Sequence, residues 1–550
     1  MRKVTAGIIV MMCAWCASAG ADFDYAALRT LPVMHEGRVE ALDTFARELA
    51  VAVTGSESYG GRDHMELLME FLFDQGRALK EPLLYVRSEA LRKRLGLRPG
   101  QTHFAVTDIV GDNRLSALLR ASGPDAGTMN DVTELAAVIG RIVAVHAQLY
   151  MVPPPPGTEK WLSLADMMES KEPGVAIAWE AFTAMQEAYM ARDDRKFNTG
   201  ARDFAAALKA VNPGTWPGET RMSLEVMNNE IDPMQKAWVI YFAGAALAGL
   251  MFFVAKGRVK WLPLAVIAAA VIVHSGGLVV RGVVAGRLPL GDMYESVVFT
   301  AWGAGALGLV LAGLLRRIYI AWAGAVVAGA ALAVGGLLPG GANVHAVSFV
   351  LRNNYWLTAH VATTLLGFGA LALAAGLAHY AWGVYCFREK KAELFNSLSA
   401  AVWRVMRAGV WLVALGTVMG GFWASEAWGR FWGWDAKESW ALITILVYVI
   451  ILHARSCGWL REFGVVMGAI WGFLAVLMTW YGVNYLLGTG MHSYGFGRGG
   501  DAVALVVLAA ECLVVMAAMS LRSSRAARVL TTEATENTEN NHVSLSGGEQ

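Results

Sequence analysis

Trp423-Ala-Ser-Glu-Ala-Trp428-Gly-Arg-Phe-Trp432-Gly-Trp434-Asp435-Ala-Lys437-Glu438-Ser-Trp440 places five tryptophans within eighteen residues, interleaved with glycine and ionisable side chains. An apolar run long enough for a helix lies on each side, about 403–422 and 440–454. Tryptophan at a membrane interface ordinarily serves as an anchor at a helix end. Five on one short loop predict a flat aromatic platform near the membrane surface, suited to a large planar partner.

The rest of the chain supports that placement. Its 550 residues are 56% hydrophobic and 17% charged, with a mean hydropathy of +0.43, too apolar for an ordinary soluble enzyme. A net charge of +1 gives no reason to expect a nucleic-acid partner. The start of the chain, Met1-Arg2-Lys3, then an apolar run to Cys16 and Ala17-Ser18-Ala19, reads as a signal peptide over 1–21. Residues 22–235 read as an exported, mainly helical domain, with apolar residues at helical spacing in 43–53, 65–73, 132–150 and 179–192. Pro153–Pro156 reads as a stiff break between its halves. Cys386, Cys457 and Cys512 fall in the later, apolar part, so the exported domain has no disulfide and no thiol-exchange pair.

From Trp238 onward about nine bilayer-length stretches follow one another, roughly 237–254, 261–280, 294–315, 319–338, 357–385, 403–422, 440–454, 463–485 and 502–521. The expected fold is therefore an all-α integral membrane protein of about nine transmembrane helices. The membrane domain covers 236–522 and carries the tryptophan loop at 423–440; a disordered cytoplasmic tail follows over 523–550. With the N-terminal domain outside, the loops carrying Lys256, Arg316, Arg388, Lys390, Arg455 and Arg522 all face inward. Outward loops are poorer in basic residues, as the positive-inside rule requires. The tryptophan loop, His360 at the head of the fifth span and His492 after the eighth then share the outer face.

Ionisable groups at membrane depth are costly and point to function. Two outward histidines flanking an aromatic platform could clasp a haem between axial imidazoles, with Arg or Lys meeting its propionates. The same residues also fit hydrogen-bonded interfacial histidines beside aromatic anchors, and spacing alone does not name a ligand. His453, near the inner end of the seventh span, lies about 20 Å below the outer surface and could serve a second haem position. Glu511 reads as a buried acid making a helix-packing hydrogen bond. His35, His64, His103 and His146 lack metal-ligand spacing and read as structural.

Trp428-Gly-Arg-Phe-Trp432-Gly-Trp434-Asp435-Ala-Lys437-Glu438-Ser-Trp440-Ala-Leu-Ile-Thr, followed by Leu452-His453-Ala-Arg455, resembles the WWD signature of the CcsA/ResC cytochrome c biogenesis proteins. His274-Ser-Gly-Gly-Leu-Val-Val-Arg281, with Pro289 and Tyr294-Glu295-Ser296, is similar to that family's early-span motif, and Gly490-Met-His492-Ser-Tyr494-Gly to its last outer loop. Ala436 stands where the family usually has proline. The resemblance covers about 240–520. The stretch 31–47 resembles an N-terminal extension of some longer members.

The resemblance implies the haem-handling subunit of a System II cytochrome c synthase in the bacterial inner membrane. Trp423, Trp428, Trp432, Trp434 and Asp435 would form the outer haem site, with His360 and His492 as external axial ligands of haem b and His453 as the intramembrane ligand. Glu438, Arg281, Glu295 and Tyr494 are secondary candidates. Implied partners are a CcsB/ResB-type membrane subunit, apocytochrome c and a thiol reductant system. The implied reaction is haem lyase chemistry, thioether formation at a Cys-x-x-Cys-His motif, achieved mainly by positioning. A haem exporter without lyase activity, or a transporter of a hydrophobic anion, are the competing readings.

Overall fold

A computed structural model of the chain describes residues 23–111, 113–120, 126–254, 261–336, 344, 355–387, 392–487, 505–506, 508–514, 516–517 and 519–521. The expected signal peptide and the tail at 523–550 lie outside the described residues. Two compact units are present, Met1–Glu230 and Ile231–Gln550.

The first unit contains helices α1 (Leu42–Thr54), α2 (His64–Phe73), α3 (Ala126–Val143), α4 (Pro173–Met190), α5 (Asp194–Val211) and α6 (Glu219–Ile231). Helix α2 starts with a reciprocal capping box: Glu66 N–H donates to the Asp63 carboxylate, and Asp63 N–H donates to that of Glu66. The unit also holds strands that the helical reading did not anticipate: β1 (Pro32–His35), β2 (Arg38–Ala41), β3 (Leu84–Tyr85), β4 (His103–Phe104), β5 (Tyr150–Val152) and β6 (Leu162–Ser163). One antiparallel sheet runs β2-β1-β5-β6, and β3 pairs with β4. Glu36 and Gly37 both have positive φ, 46° and 83°, the backbone that a two-residue hairpin turn needs. Pro153–Pro155 are buried in the connection between the paired strands β5 and β6. They do not separate two halves; the prolines are packed into one core.

Asp43 organises the 31–47 stretch. Its buried carboxylate accepts hydrogen bonds from Arg29 Nε at 2.8 Å, Arg47 Nε at 2.9 Å, His64 Nε2 at 2.8 Å and Asn229 Nδ2 at 3.1 Å. Burial works to raise its pKa, but the His64 and Asn229 hydrogen bonds and the Arg47 charge prevail and hold it well below the usual carboxylate range. Glu225 on α6 ties to the same stretch, accepting from Thr44 Oγ1 at 2.9 Å and pairing with Arg38 at 2.9 Å.

The second unit comprises α7 (Pro233–Val254), α8 (Leu262–Ala285), α9 (Met293–Leu315), α10 (Ile318–Gly335), α11 (Tyr355–Phe387), α12 (Ala392–Trp428), α13 (Ala436–Ser456) and α14 (Glu462–Leu477), which continues as a π-helix over Met478–Leu487. Among the described residues, seven helices are long and apolar enough to cross a membrane: α8 to α13, and α14 with its π-helical extension. The chain is thus a helical, multi-pass integral membrane protein. Of the two other expected spans, 237–254 coincides with α7, and 502–521 falls partly outside the described residues. Small residues allow the close approaches: a Cβ on Gly308 of α9 would lie 3.0 Å from the Cα of Gly324 on α10.

Candidate functional site

Five helix ends meet at one end of the membrane unit. They are the N-terminal ends of α9, α11 and α13, the C-terminal end of α12 and the π-helical end of α14. Together with the 287–292 segment they line a cavity of about 260 Å³. His360, Trp423, Phe431, Trp432, Lys437, Glu438, Trp480 and Asn484 all contribute to its wall.

The tryptophan-rich stretch is mostly helix rather than one long loop. Helix α12 runs on to Trp428, Gly429 reverses the chain at φ 71°, and α13 resumes at Ala436. The apolar face of α12 extends beyond the expected span, so helical packing carries its last residues. Trp423 is fully buried, and Trp428 meets it edge-on at 4.6 Å. Trp432 meets Trp434 edge-on at 5.7 Å, while Trp434 itself is 70% exposed and sits in the left-handed region at φ 57°. The tryptophans are therefore staggered: Trp423 and Trp432 face the cavity and Trp434 faces outward.

Asp435 and Glu438 give this turn its shape. Asp435 Oδ1 accepts from the amides of Lys437 and Glu438, both at 2.9 Å. Glu438 Oε2 accepts from Asp435 N at 3.3 Å and from Gly433 N at 2.6 Å. Two carboxylates at the positive end of α13 satisfy its orphan amides and close the loop on itself.

His360, in the second turn of α11, is oriented by α12. Its Nδ1 lies 2.6 Å from the carbonyl oxygen of Gly416. A carbonyl can only accept, so Nδ1 carries the proton and Nε2 is the Lewis-basic nitrogen, the arrangement found in metal-binding histidines. The ring fits because Gly420 has no side chain; a Cβ there would come within 2.7 Å of His360 Cε1 and 2.8 Å of Nδ1.

Beside the cavity lies a buried ionic cluster. Glu295, with no solvent exposure, accepts from Arg281 Nε at 3.0 Å, Arg287 Nη1 at 2.5 Å and Gly291 N at 2.7 Å. Asp292 caps α9 by accepting from Glu295 N at 2.7 Å. Arg281 and Glu295 act here through Arg287 and the 287–292 segment, which reach the cavity wall.

His453 is not part of this site. It is exposed near the far end of α13, its Nδ1 donating to the Val449 carbonyl at 2.9 Å. His492 and Tyr494 lie outside the described residues. Glu511 accepts from His379 Nε2 at 3.1 Å, joining two helices. In the first unit His64, His103 and His146 are hydrogen-bonded to Asp43, the Thr54 carbonyl and the Leu72 carbonyl. His35 lies 3.1 Å from Glu40 and 3.5 Å from Glu48. Burial, then the charge of Glu40, pushes Glu48 up to about 7.

Sequence reasoning did not single out Arg287, Asn484, Gly416 or Gly420 as site residues. The Gly416–Gly420 spacing, one helical turn, was the available signal; Arg287 and Asn484 gave none beyond their residue type.

Residues 290–492 match the family model described as cytochrome c assembly protein. Protein NrfI of Wolinella succinogenes is 27% identical over 506 residues, covering 84% of this chain and 53% of that protein. The cytochrome c biogenesis protein CcsA of Chlamydomonas reinhardtii is 33% identical over 230 residues, 40% of this chain and 64% of that one. CcsA of Amborella trichopoda is 30% identical over 262 residues, 40% of this chain and 82% of that protein. The chain thus spans about half the length of NrfI and just under two thirds of the algal CcsA.

Proposed function

Because the chain belongs to the CcsA-type cytochrome c biogenesis family, we propose that its cavity receives haem b and presents it for covalent attachment to apocytochrome c. The observation that carries this reading is His360: an imidazole fixed by the Gly416 carbonyl, with Nε2 as its ligand nitrogen, in a cavity walled by Trp423, Trp432 and Trp480. An aromatic wall suits a porphyrin face, and an imidazole of set tautomer suits its iron. The described residues enclose about 260 Å³, room for part of the ring.

His492 is proposed as the opposite axial ligand, with Tyr494 near His492 in sequence and Trp434 extending the aromatic surface. Asp435 and Glu438 shape the loop; Arg281 and Glu295 fix the neighbouring segment. In the proposed reaction each substrate thiol S–H adds across a haem vinyl C=C, giving a thioether with no atom lost. The chain's residues position the two reactants, and the thiols belong to the apocytochrome.

The distribution of basic residues supports nine spans in a bacterial inner membrane, with the tryptophan loop and the N-terminal unit on the outer side. His453, exposed on α13 away from the cavity, is proposed to hold haem in transit with a ligand from a CcsB/ResB-type subunit. NrfI, about half of which lies beyond the match, leaves room for such a second module in one chain. A thiol reductant system would keep the substrate cysteines reduced.

The test is spectroscopic. The full chain, purified with its partner from haem-replete cells, is expected to show a bis-histidine haem spectrum that His360→Ala or His492→Ala abolishes. A Cys-x-x-Cys-His reporter co-expressed with it should acquire covalent haem. A colourless complex refutes haem handling, and a coloured complex that never labels the reporter refutes the lyase step.

A further inference from the structure

We propose that Lys437 is the anion-binding residue of this cavity and takes one carboxylate of the bound ligand. The inference rests on the haem reading above, and specifies which side chain meets a propionate.

Among the described residues the cavity wall holds two cations, Arg287 and Lys437, and their surroundings differ. Arg287 is matched: its guanidinium donates to both carboxylate oxygens of Glu295, at 2.5 and 3.3 Å, and to the Leu288 carbonyl at 3.0 Å. Lys437 is not matched in this way. Its one hydrogen bond among the described residues runs from Nζ to the neutral Oδ1 of Asn484, at 3.2 Å. The Asn484 amide is itself oriented, its Nδ2 donating to the Trp480 carbonyl at 2.8 Å, so that oxygen faces the lysine.

The two acids nearest in sequence are bonded to backbone amides, and Glu438 Oε1 also pairs with Arg430 Nη1 at 4.0 Å. Asp435 caps α13, and Glu438 Oε2 closes the loop onto Gly433 and Asp435. An ammonium carries three donors; among the described residues one acceptor, the neutral Asn484 amide, meets them, and the Asp435 carboxylate acts on Lys437 through its charge without a hydrogen bond to it. Lys437 also sits in the first turn of α13, where the helix dipole already favours an anion and opposes a lysine. A partly buried cation placed against the dipole and beside a neutral amide is costly for folding alone. That arrangement is what a site for a carboxylate requires, because the ligand supplies the missing charge. Asn484 positions the ammonium without neutralising it.

The test compares haem with its dimethyl ester, in which both propionates are methylated, titrated into the purified full chain with its partner. Wild type is expected to bind haem about tenfold or more tightly relative to the ester, the range for a charge-assisted hydrogen bond. Lys437→Gln should lose that preference by weakening haem and sparing the ester, and Lys437→Arg should recover it. If wild type does not discriminate haem from ester, or Lys437→Gln weakens both equally, the inference is overturned while haem binding stands. If neither porphyrin binds wild type, the haem reading falls and this inference with it.

Discussion

Adding one methyl group at Gly420 tests whether the placement of His360 matters more than its mere presence. In Gly420→Ala the new Cβ would meet His360 Cε1 at 2.7 Å and Nδ1 at 2.8 Å. Carbon atoms in ordinary contact sit about 3.5–4.0 Å apart, so the ring or helix must yield by about 1 Å. That motion strains or breaks the 2.6 Å bond to Gly416 which sets the tautomer. Disturbing the group that orients a metal-binding histidine typically costs about 10- to 100-fold in affinity, or about 1.4–2.8 kcal/mol. The fold has an opposing gain, since alanine is favoured over glycine within a helix by about 1 kcal/mol. Haem affinity should therefore fall tenfold or more while unfolding in graded denaturing detergent changes little. The assay is a Soret titration of the purified complex beside that unfolding curve. Wild-type haem affinity in Gly420→Ala would refute the assignment of His360 as a positioned ligand. A comparable fall in stability would show instead that the helix pair, and not the ligand, was damaged.

Three further outcomes follow from the same geometry. Glu295→Gln removes the buried charge that Arg281 and Arg287 share, leaving Arg281 facing Asp292 at 3.8 Å, and should destabilise the membrane unit by about 3–5 kcal/mol, read as a lower midpoint in detergent unfolding. Trp423→Ala should cost about 3–5 kcal/mol because that side chain is buried, whereas Trp434→Ala, 70% exposed, should leave stability within about 0.5 kcal/mol and lower haem affinity alone. For the N-terminal unit, the Glu48 carboxyl is raised to about 7, so the folded state binds its proton more tightly than the unfolded chain. Stability is then present below the unfolded carboxyl pKa and declines as pH rises toward 7, by up to about 3 kcal/mol. His35, where burial opposes but the Glu40 hydrogen bond and charge raise the pKa, adds to the decline in the same direction. Hydrogen exchange in 42–54 between pH 5 and 8 should show this slope, and Glu48→Gln should flatten it; an unchanged slope removes Glu48 as its source.

The membrane helices were readable because a span needs a long apolar run, and such runs are hard to mistake. Helix ends were less so. Trp423 and Trp428 belong to α12 because packing at the cavity prolongs the helix through a stretch whose glycine and charge suggest a loop. The strands of the first unit, two to four residues each, are too short for alternation to register. In the site, His360 and the tryptophan stretch stood out by residue type. Gly416, Gly420, Asn484 and Arg287 did not, since their roles come from where a neighbouring helix places them.

The cavity wall draws on residues from Arg287 to Asn484, and this dispersal sets a schedule for the protein's birth. At a synthesis rate of about 5–20 residues per second, Asn484 emerges about 10–40 s after Arg287. In that interval α9, α11 and α12 can enter the bilayer and set His360 against Gly416, but Trp480 has not closed the far wall and Lys437 has no amide to hold it. A planar hydrophobic ligand arriving early would meet a half-built slot. The cavity is therefore a property of the finished bundle: no shorter stretch of the chain carries all of its walls.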